Sequence, residues 1–524
     1  MQSRRGPGTQ KFLSTDGLGP VAGFVVLGFI AGVVLSLVAS FWNRHGGHHY
    51  RDILLIATFT VAPPLLYYNF AALRQGYRSL VVMLKNLHWY HWLWLLLFIS
   101  MQTWRKRTLA DIKAAPVDSY AAAKGIMVTI AGCYLLYRLF TRRTDFLRDW
   151  FRGIPGLLML FVLAALTSTL WSVNWPWTLY QSCQYAVDVA ALAAIITALR
   201  SAEDYKSWFD WTWLWLGILL TVIWIGAYFD PEIALSHLSE EGGSVTGPIP
   251  VQLMGVYPTL SSNRIGEYAA ILAAVALVRL LPVHGIKRLM KTWYTWLFLA
   301  ASITMVFAQT RSATGGFLIA LVLIFWLSGR FKHGVAIVLI GVCLLLVTGA
   351  GGVLIDYMRR GQTNAQLESL TGRVEWWAFA WHKYTDAPLT GYGAYAAGKF
   401  LVMGSMGNNI ASVHSDWVET LIGCGWWGVF PLVAVMGAGW WYLLRFMLDP
   451  QRTPEERQLA LEAIAVFTIA TVRTFFSDDL TWHVPLPFWL VLGYAEYLRQ
   501  RYASTPVRVS APAFIGRYLR TVEE

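Results

Sequence analysis

Three arginines stand among hydroxyl, amide or carboxylate neighbours at the ends of apolar runs: Arg264 in PTLSSNRIGEYAA, Arg311 in AQTRSATGG and Arg373 in LTGRVEWW. Ser262 and Asn263 precede the first, Thr310 and Ser312 flank the second, and Glu375 follows the third. A guanidinium fork binds phosphate oxygens bidentately, and a pyrophosphate calls for two or three such forks. The competing reading is that each arginine snorkels to lipid headgroups or pairs with a loop carboxylate. His414 in VHSDWVETLIG opens an apolar run, with Asp416 and Glu419 about one helical pitch on. An imidazole there accepts a proton, holds a phosphate or simply sits at an interface. Asp478 and Asp479, with His483, lie in FFSDDLTWHVPLP. A vicinal carboxylate pair suits a hard cation, or equally a solvated turn.

The elements that must position these groups are membrane helices. The chain is 56% hydrophobic and only 14% charged, with mean hydropathy +0.47, too apolar for a water-soluble globule of 524 residues. About fourteen windows are long enough to span a bilayer, the first at 21–42 and 53–72, the last at 425–446, 459–475 and 484–499. Basic residues collect in alternate loops (Arg4/Arg5/Lys11, Arg142/Arg143/Arg148/Arg152, Lys287/Arg288/Lys291, Arg452/Arg457, Arg499/Arg501). Lys and Arg are retained on the cytoplasmic side, so both termini are expected there, with Arg264, Arg311, Arg373 and His414 on the opposite face. The cluster Arg105-Lys106-Arg107 breaks the pattern. The expected fold is an all-α polytopic membrane protein. It divides into N-terminal helices over 1–150, a core over 151–354 and 414–500 split by a long outer loop at 355–413, and a tail at 501–524.

Two outer loops exceed the usual connection length, one from about Asp230 to Arg264 and one from about Asp356 to Val413. In the second, Leu370, Val374, Trp377 and Trp381 recur at helical spacing, which predicts an amphipathic helix lying along the membrane surface with those four on its apolar face. A Gly-rich turn segment, PLTGYGAYAAGKF, follows.

Other features argue against other chemistries. The net charge of +12 and pI near 9.5 read as topology signals and headgroup anchors; a nucleic-acid footprint would need a basic patch on a soluble face. Cys133, Cys183, Cys343 and Cys424 fall in or beside apolar spans and read as small core residues, neither a disulfide framework nor a metal site. His45, His48 and His49 lack accompanying carboxylates and read as an interfacial loop. Trp42, Trp89, Trp92, Trp94 and Trp104 read as an aromatic belt at helix ends. The first apolar run has no convincing cleavage site and reads as a retained helix.

Three segments, TRSATGGF, TGRVEWWAFAWHKYTDAPLTGYG and VHSDWVETLIGCGWWGVFPLV, occur in this order and together resemble the O-antigen ligase and O-antigen polymerase superfamily of bacterial envelope glycan assembly. The positions that carry the resemblance are Arg311, Arg373, Pro388 with Leu389, Gly391 and Gly393, His414, and Gly425 with Gly428. It covers about residues 155–500 and leaves the helices before 150 unexplained. Where many relatives have His-Asn, this chain has His414-Ser415. The resemblance implies an inverting glycosyltransferase that needs neither metal nor cofactor, in the bacterial inner membrane with its active face periplasmic. The implied donor is an undecaprenyl-pyrophosphate-linked glycan. The acceptor is lipid A-core for a ligase or another lipid-linked glycan for a polymerase. His414, Arg373 and Arg311 would be catalytic, with Arg264, Ser312, Asp416, Glu419, Asp478 and Asp479 binding substrate and Asp416 or Glu419 orienting His414. A different class, a transporter of lipid-linked sugars, would place charges within spans; Asp188 and Arg473 are the candidates for that. Oligomeric state leaves no mark on the sequence.

Overall fold

The computed structural model describes residues 87–102, 118–142, 150–237, 248–285, 292–348, 351–360, 362–370, 372–407, 412–449 and 452–504, with a few isolated positions besides. The expected span at 53–72, all but four positions of the one at 21–42, the basic clusters Arg4/Arg5/Lys11, Arg105-Lys106-Arg107 and Lys287/Arg288/Lys291, His45, His48, His49, Trp42, Trp104 and the tail beyond 504 lie outside the described residues.

Helices dominate, as lipid requires of a chain that must satisfy its own backbone. In order they are α1 Trp89–Ser100, α2 Ser119–Arg142, α3 Gly153–Thr167, α4 Trp175–Ala198, α5 Ala202–Phe229, α6 Ser262–Leu280, α7 Trp293–Ala308 and α8 Arg311–Leu327. Then follow α9 Phe331–Thr348, α10 Gly351–Arg359, α11 Arg373–Tyr384, α12 Asp416–Met447, α13 Pro454–Thr474 and α14 Leu486–Ser504. Local chemistry sets their starts. Asn174, Ser201, Ser261, Ser415 and Thr453 each accept a backbone N–H of the first turn, and Pro176 and Pro454 occupy positions with no N–H to satisfy.

Five of these stretches are long and apolar enough to cross a membrane: Ser119–Thr141, Gly153–Trp171, Trp175–Ala198, Ala202–Phe229 and Asp416–Met447. The protein is therefore an all-α membrane protein. α6, α13 and α14 reach similar lengths but carry buried charges, among them Glu267, Arg279, Glu462, Arg473 and Glu496, which lower their apolar character. Large side chains along α3, α8 and α12, including Leu160, Leu163, Leu318, Val322, Phe430 and Trp441, stand exposed. Large apolar side chains exposed in such number are untenable in water and ordinary in lipid.

Within the bundle α6 packs along α7, α8 along α13, and α3 along α12. Trp94 belongs to this core, not to a belt at the helix ends: it is fully buried beside Trp208 and Trp489, with its indole N–H donated to Thr212 Oγ1 at 2.8 Å. Trp92, two residues earlier and on another face of the helix, is exposed. The cysteines depart from expectation too. Cys424 is buried, whereas Cys133, Cys183 and Cys343 face outward, and all four are free.

The first long loop is built against the bundle. Leu235 and Ser236 pair antiparallel with Leu253 and Gln252, and Gln309 at the end of α7 donates to the carbonyls of Ile249 and Val251 at 2.7 and 2.8 Å. In the second loop the helix forms over Arg373–Tyr384, but its buried stripe is Trp376, Ala380 and Tyr384. The expected stripe is mostly outside: Leu370, Val374 and Trp381 are exposed, and Trp377 is half-buried with its indole donating to the Val413 carbonyl at 2.9 Å. α11 is apolar on two faces, and the protein takes the one that the spacing did not single out.

Candidate active site

The first turns of α6, α8, α11 and α12 and the last turn of α13 meet at one end of the bundle, around residues 475–485. The glycine motifs explain how α11 and α12 are held there. α12 is broken at Gly425 (φ 60°, ψ −156°), and residues 388–393 fill the break. Trp426 and Trp427 donate to the carbonyls of Pro388 and Leu389, while Tyr392 and Gly393 donate to those of Ile422 and Gly423. A Cβ at Gly425 would lie 2.4 Å from the Leu389 carbonyl carbon, and one at Gly393 (φ 107°) 2.1 Å from Ser172 Oγ. Only glycine allows both the backbone conformation and the approach.

His414 stands just before α12 in a left-handed conformation (φ 55°), one that histidine adopts more readily than most residues and that recurs at functional sites. Its Nδ1 is 3.8 Å from Asp478 Oδ1, and the Ser412 hydroxyl donates to the same carboxylate oxygen at 2.9 Å. The ring is tilted against Trp376, and about a quarter of the side chain is accessible.

Asp416 does not orient His414. Its Oδ2 accepts the amides of Asp479 and Leu480, both at 2.9 Å, and its Oδ1 accepts the amide and hydroxyl of Thr481 at 3.1 and 2.9 Å. All four donors come from the 475–485 loop, so Asp416 is a clamp on that loop. Glu419 also turns away: it is packed onto Gly398, where a Cβ would lie 1.9 Å from Oε2, within the segment Ala397–Met403. The carboxylate beside the imidazole is Asp478, because the chain reversal at His414 aims the ring back at the loop.

The arginines likewise reach partners across the fold. Arg264 forms an ion pair with Asp479 at 2.7 Å and a longer one with Glu267 at 3.4 Å. Arg373 donates to the Phe476 carbonyl at 3.2 Å, and Glu375 is exposed. Arg311 bonds to the side-chain amide oxygen of Gln362. Ser312 serves Arg473, whose Nη1 donates to its hydroxyl at 2.9 Å.

Two members of the cluster were not singled out as site residues from sequence: Glu267 and Arg473. Arg473 reaches Asp479 at 3.1 Å, Glu267 at 3.5 Å and the Ser477 hydroxyl at 3.1 Å. Arg473, Glu267 and Asp479 are all but sealed from solvent, while Arg264 keeps about a quarter of its side chain accessible. Arg473 had signalled itself as a lone charge in an apolar run, and Glu267 as a charge three residues after Arg264. The contact between them joins two helices far apart in sequence.

The pair Asp478 and Asp479 is split by its surroundings. Burial pushes the Asp479 carboxyl up, but Arg264 and then Arg473 outweigh it and hold it below its ordinary value. Burial, and then the charge on Asp479, raise Asp478. Among the described residues no group of three His, Cys, Asp or Glu side chains is placed to hold a metal ion, and Asp479 is committed to guanidinium groups. His483 leaves this cluster and pairs with Asp188 at 3.0 Å.

Residues 296–472 match the model of the family described as O-antigen ligase. Over that segment the chain is similar to the family. Arg311, Ser312, Arg373, His414, Asp416 and Glu419 lie within the matched residues, and Arg473 stands at the first position beyond the match. Arg264, Glu267, Asp478 and Asp479 come from outside the matched residues and complete the cluster around His414. No curated protein matches the chain.

Proposed function

We propose that the protein is an inverting glycosyltransferase of O-antigen ligase type. It moves a glycan from undecaprenyl-pyrophosphate to a sugar hydroxyl on lipid A-core, on the periplasmic face of the bacterial inner membrane. The observation that carries this reading is that His414, Arg373 and Arg264, distant in sequence, are tied to the single loop 475–485 at one end of the bundle, partly open to solvent. A topology of about fourteen spans with both termini cytoplasmic accords with the alternation of basic loops. It puts that end outside, where the lipid-linked donor is presented.

In the reaction the bond between the anomeric carbon and the pyrophosphate oxygen breaks, with its electron pair leaving on the pyrophosphate. The acceptor hydroxyl oxygen forms the new bond from the opposite face. His414 takes the hydroxyl proton, held by Asp478 and Ser412. Arg373 and Arg311 stabilise the charge that develops on the leaving group. Contacts with the Phe476 carbonyl and the Gln362 amide oxygen help hold the two guanidinium groups in place. Arg264, pinned by Asp479 and still partly accessible, is a third contact for the same group.

The test supplies purified protein with undecaprenyl-pyrophosphate glycan and either lipid A-core or further donor. Glycan on lipid A-core, with undecaprenyl-pyrophosphate released, is the expected product. Lengthened lipid-linked glycan would make the protein a polymerase using the same donor. No transfer to either acceptor by folded protein would overturn the transferase reading.

A further inference from the structure

The far end of the 475–485 loop is fastened by helices that lie before the residues matched to the O-antigen ligase family. Ser100, the last residue of α1, donates its hydroxyl to the Leu97 carbonyl at 2.7 Å, and the same oxygen lies 2.9 Å from Nε2 of His483. On the other side of the ring, Nδ1 of His483 is 3.0 Å from Asp188 Oδ2 on α4, and that oxygen also accepts the Val484 amide at 2.9 Å. Three residues before Asp188, the Tyr185 hydroxyl donates to the Leu480 carbonyl at 3.0 Å. Ser100 and Asp188 are fully buried and His483 is 4% exposed.

The order serine, histidine, aspartate would suit a nucleophile, but no substrate reaches a serine sealed this completely. A set of buried polar groups is costly to build compared with apolar packing of the same volume. What this set does is fix backbone. Asp478 and Asp479 sit between two anchorages: Arg373, Arg473 and Asp416 hold residues 476–481 from one side, and Tyr185, Asp188 and Ser100 hold 480–484 from the other.

We propose that Ser100, His483 and Asp188 are positioning residues that set Asp478 against His414 and Asp479 against Arg264, so that the N-terminal helices are part of the site. The activity arm of the test rests on the transferase reading; the structural arm does not.

The experiment uses the full chain in nanodiscs, as wild type, Ser100→Ala, His483→Asn and the double variant. The Asn amide can take the place of Nδ1 toward Asp188 while losing the link to Ser100. Amide hydrogen exchange over 477–481 should rise about tenfold in each single variant, with α13 unchanged. Turnover per folded molecule should fall about three- to tenfold, the scale of one hydrogen bond. The double variant should be no worse than either single, since all three remove one link. Unchanged exchange over 477–481 overturns the proposal, as does faster exchange with unchanged turnover, or additive losses. If wild-type protein transfers no glycan, the transferase reading falls, and the exchange data alone decide whether the relay sets the loop.

Discussion

Two clusters of buried charge lie at opposite ends of α6, and they are built differently. At the C-terminal end Arg279 is bracketed by Asp210 of α5 at 2.6 Å and Glu462 of α13 at 2.8 Å, with Tyr294 and Trp213 closing the set. Every charged member is on a helix, and the side chains of Arg279, Asp210 and Glu462 are at most 7% exposed. At the N-terminal end Arg264 and Arg473 bracket Asp479 in the same manner, but Asp479 is on a loop, and Arg264 and His414 keep an edge open. Burial and ion pairing alone therefore do not mark a site. The first cluster staples three helices, and the second spends the same chemistry on holding a loop next to accessible groups.

The comparison is broken first at His414. His414→Ala should reduce transfer by between about a hundredfold and ten-thousandfold, the range for loss of a general base, and Arg373→Ala should cost a comparable factor, with membrane insertion and thermal unfolding preserved. Near-normal transfer by both would reduce the open cluster to a second staple. Arg279→Ala should do the reverse. Leaving two buried carboxylates without their cation should destabilise the protein by about 3–5 kcal/mol, while turnover per folded molecule stays at the wild-type value; a loss of turnover there would erase the distinction between the two ends.

A smaller effect is expected from Gly393→Ala, where the added carbon meets Ser172 Oγ. Strain of about 1–3 kcal/mol should appear as a lowered unfolding midpoint and, because residues 388–393 fill the break in α12, as reduced turnover as well. Smallest is a pH effect on the open end. Burial lowers the pKa of His483, Asp188 pulls it back and Lys124 lowers it again, leaving it below the ordinary imidazole value. The unfolded chain then binds the proton first, so this stabilisation is complete above about pH 6.5 and is lost as pH falls below it. The unfolding midpoint should drop between pH 7.5 and 5.5, and His483→Asn should flatten that slope; an unchanged slope would remove His483 from the account.

Much of the open end was legible from residue type and side. Arg264, Arg373 and His414 were read as facing one place because each stands at the end of an apolar run on the same expected face. Their partners were not legible. Asp416 and Glu419 follow His414 at helical spacing, yet the left-handed turn at His414 points the ring elsewhere, and spacing along a helix says nothing of a residue just before it. Arg473 and Glu267 lie in apolar segments far apart in sequence, and their contact with each other is a relation that no periodicity encodes. The helix at Arg373–Tyr384 was legible as a helix, but with Val374, Trp376, Trp377, Phe379 and Trp381 around its circumference, hydrophobic spacing could not choose the buried face. Trp94 was misassigned for a related reason: composition places tryptophan at helix ends, and only packing shows which indole has found a partner inside.

The break in α12 has a consequence for exchanging parts between proteins of this kind. Ile422 and Gly423 accept from the 388–393 backbone, and Trp426 and Trp427 donate to it across the gap, so the turn that carries His414 is cross-linked to the Gly-rich loop as well as to the remainder of its own helix. The transplantable cassette is therefore 388–427 as a block. A chimera spliced between loop and helix would keep every side chain of the motif and still separate two pieces of backbone that complete each other.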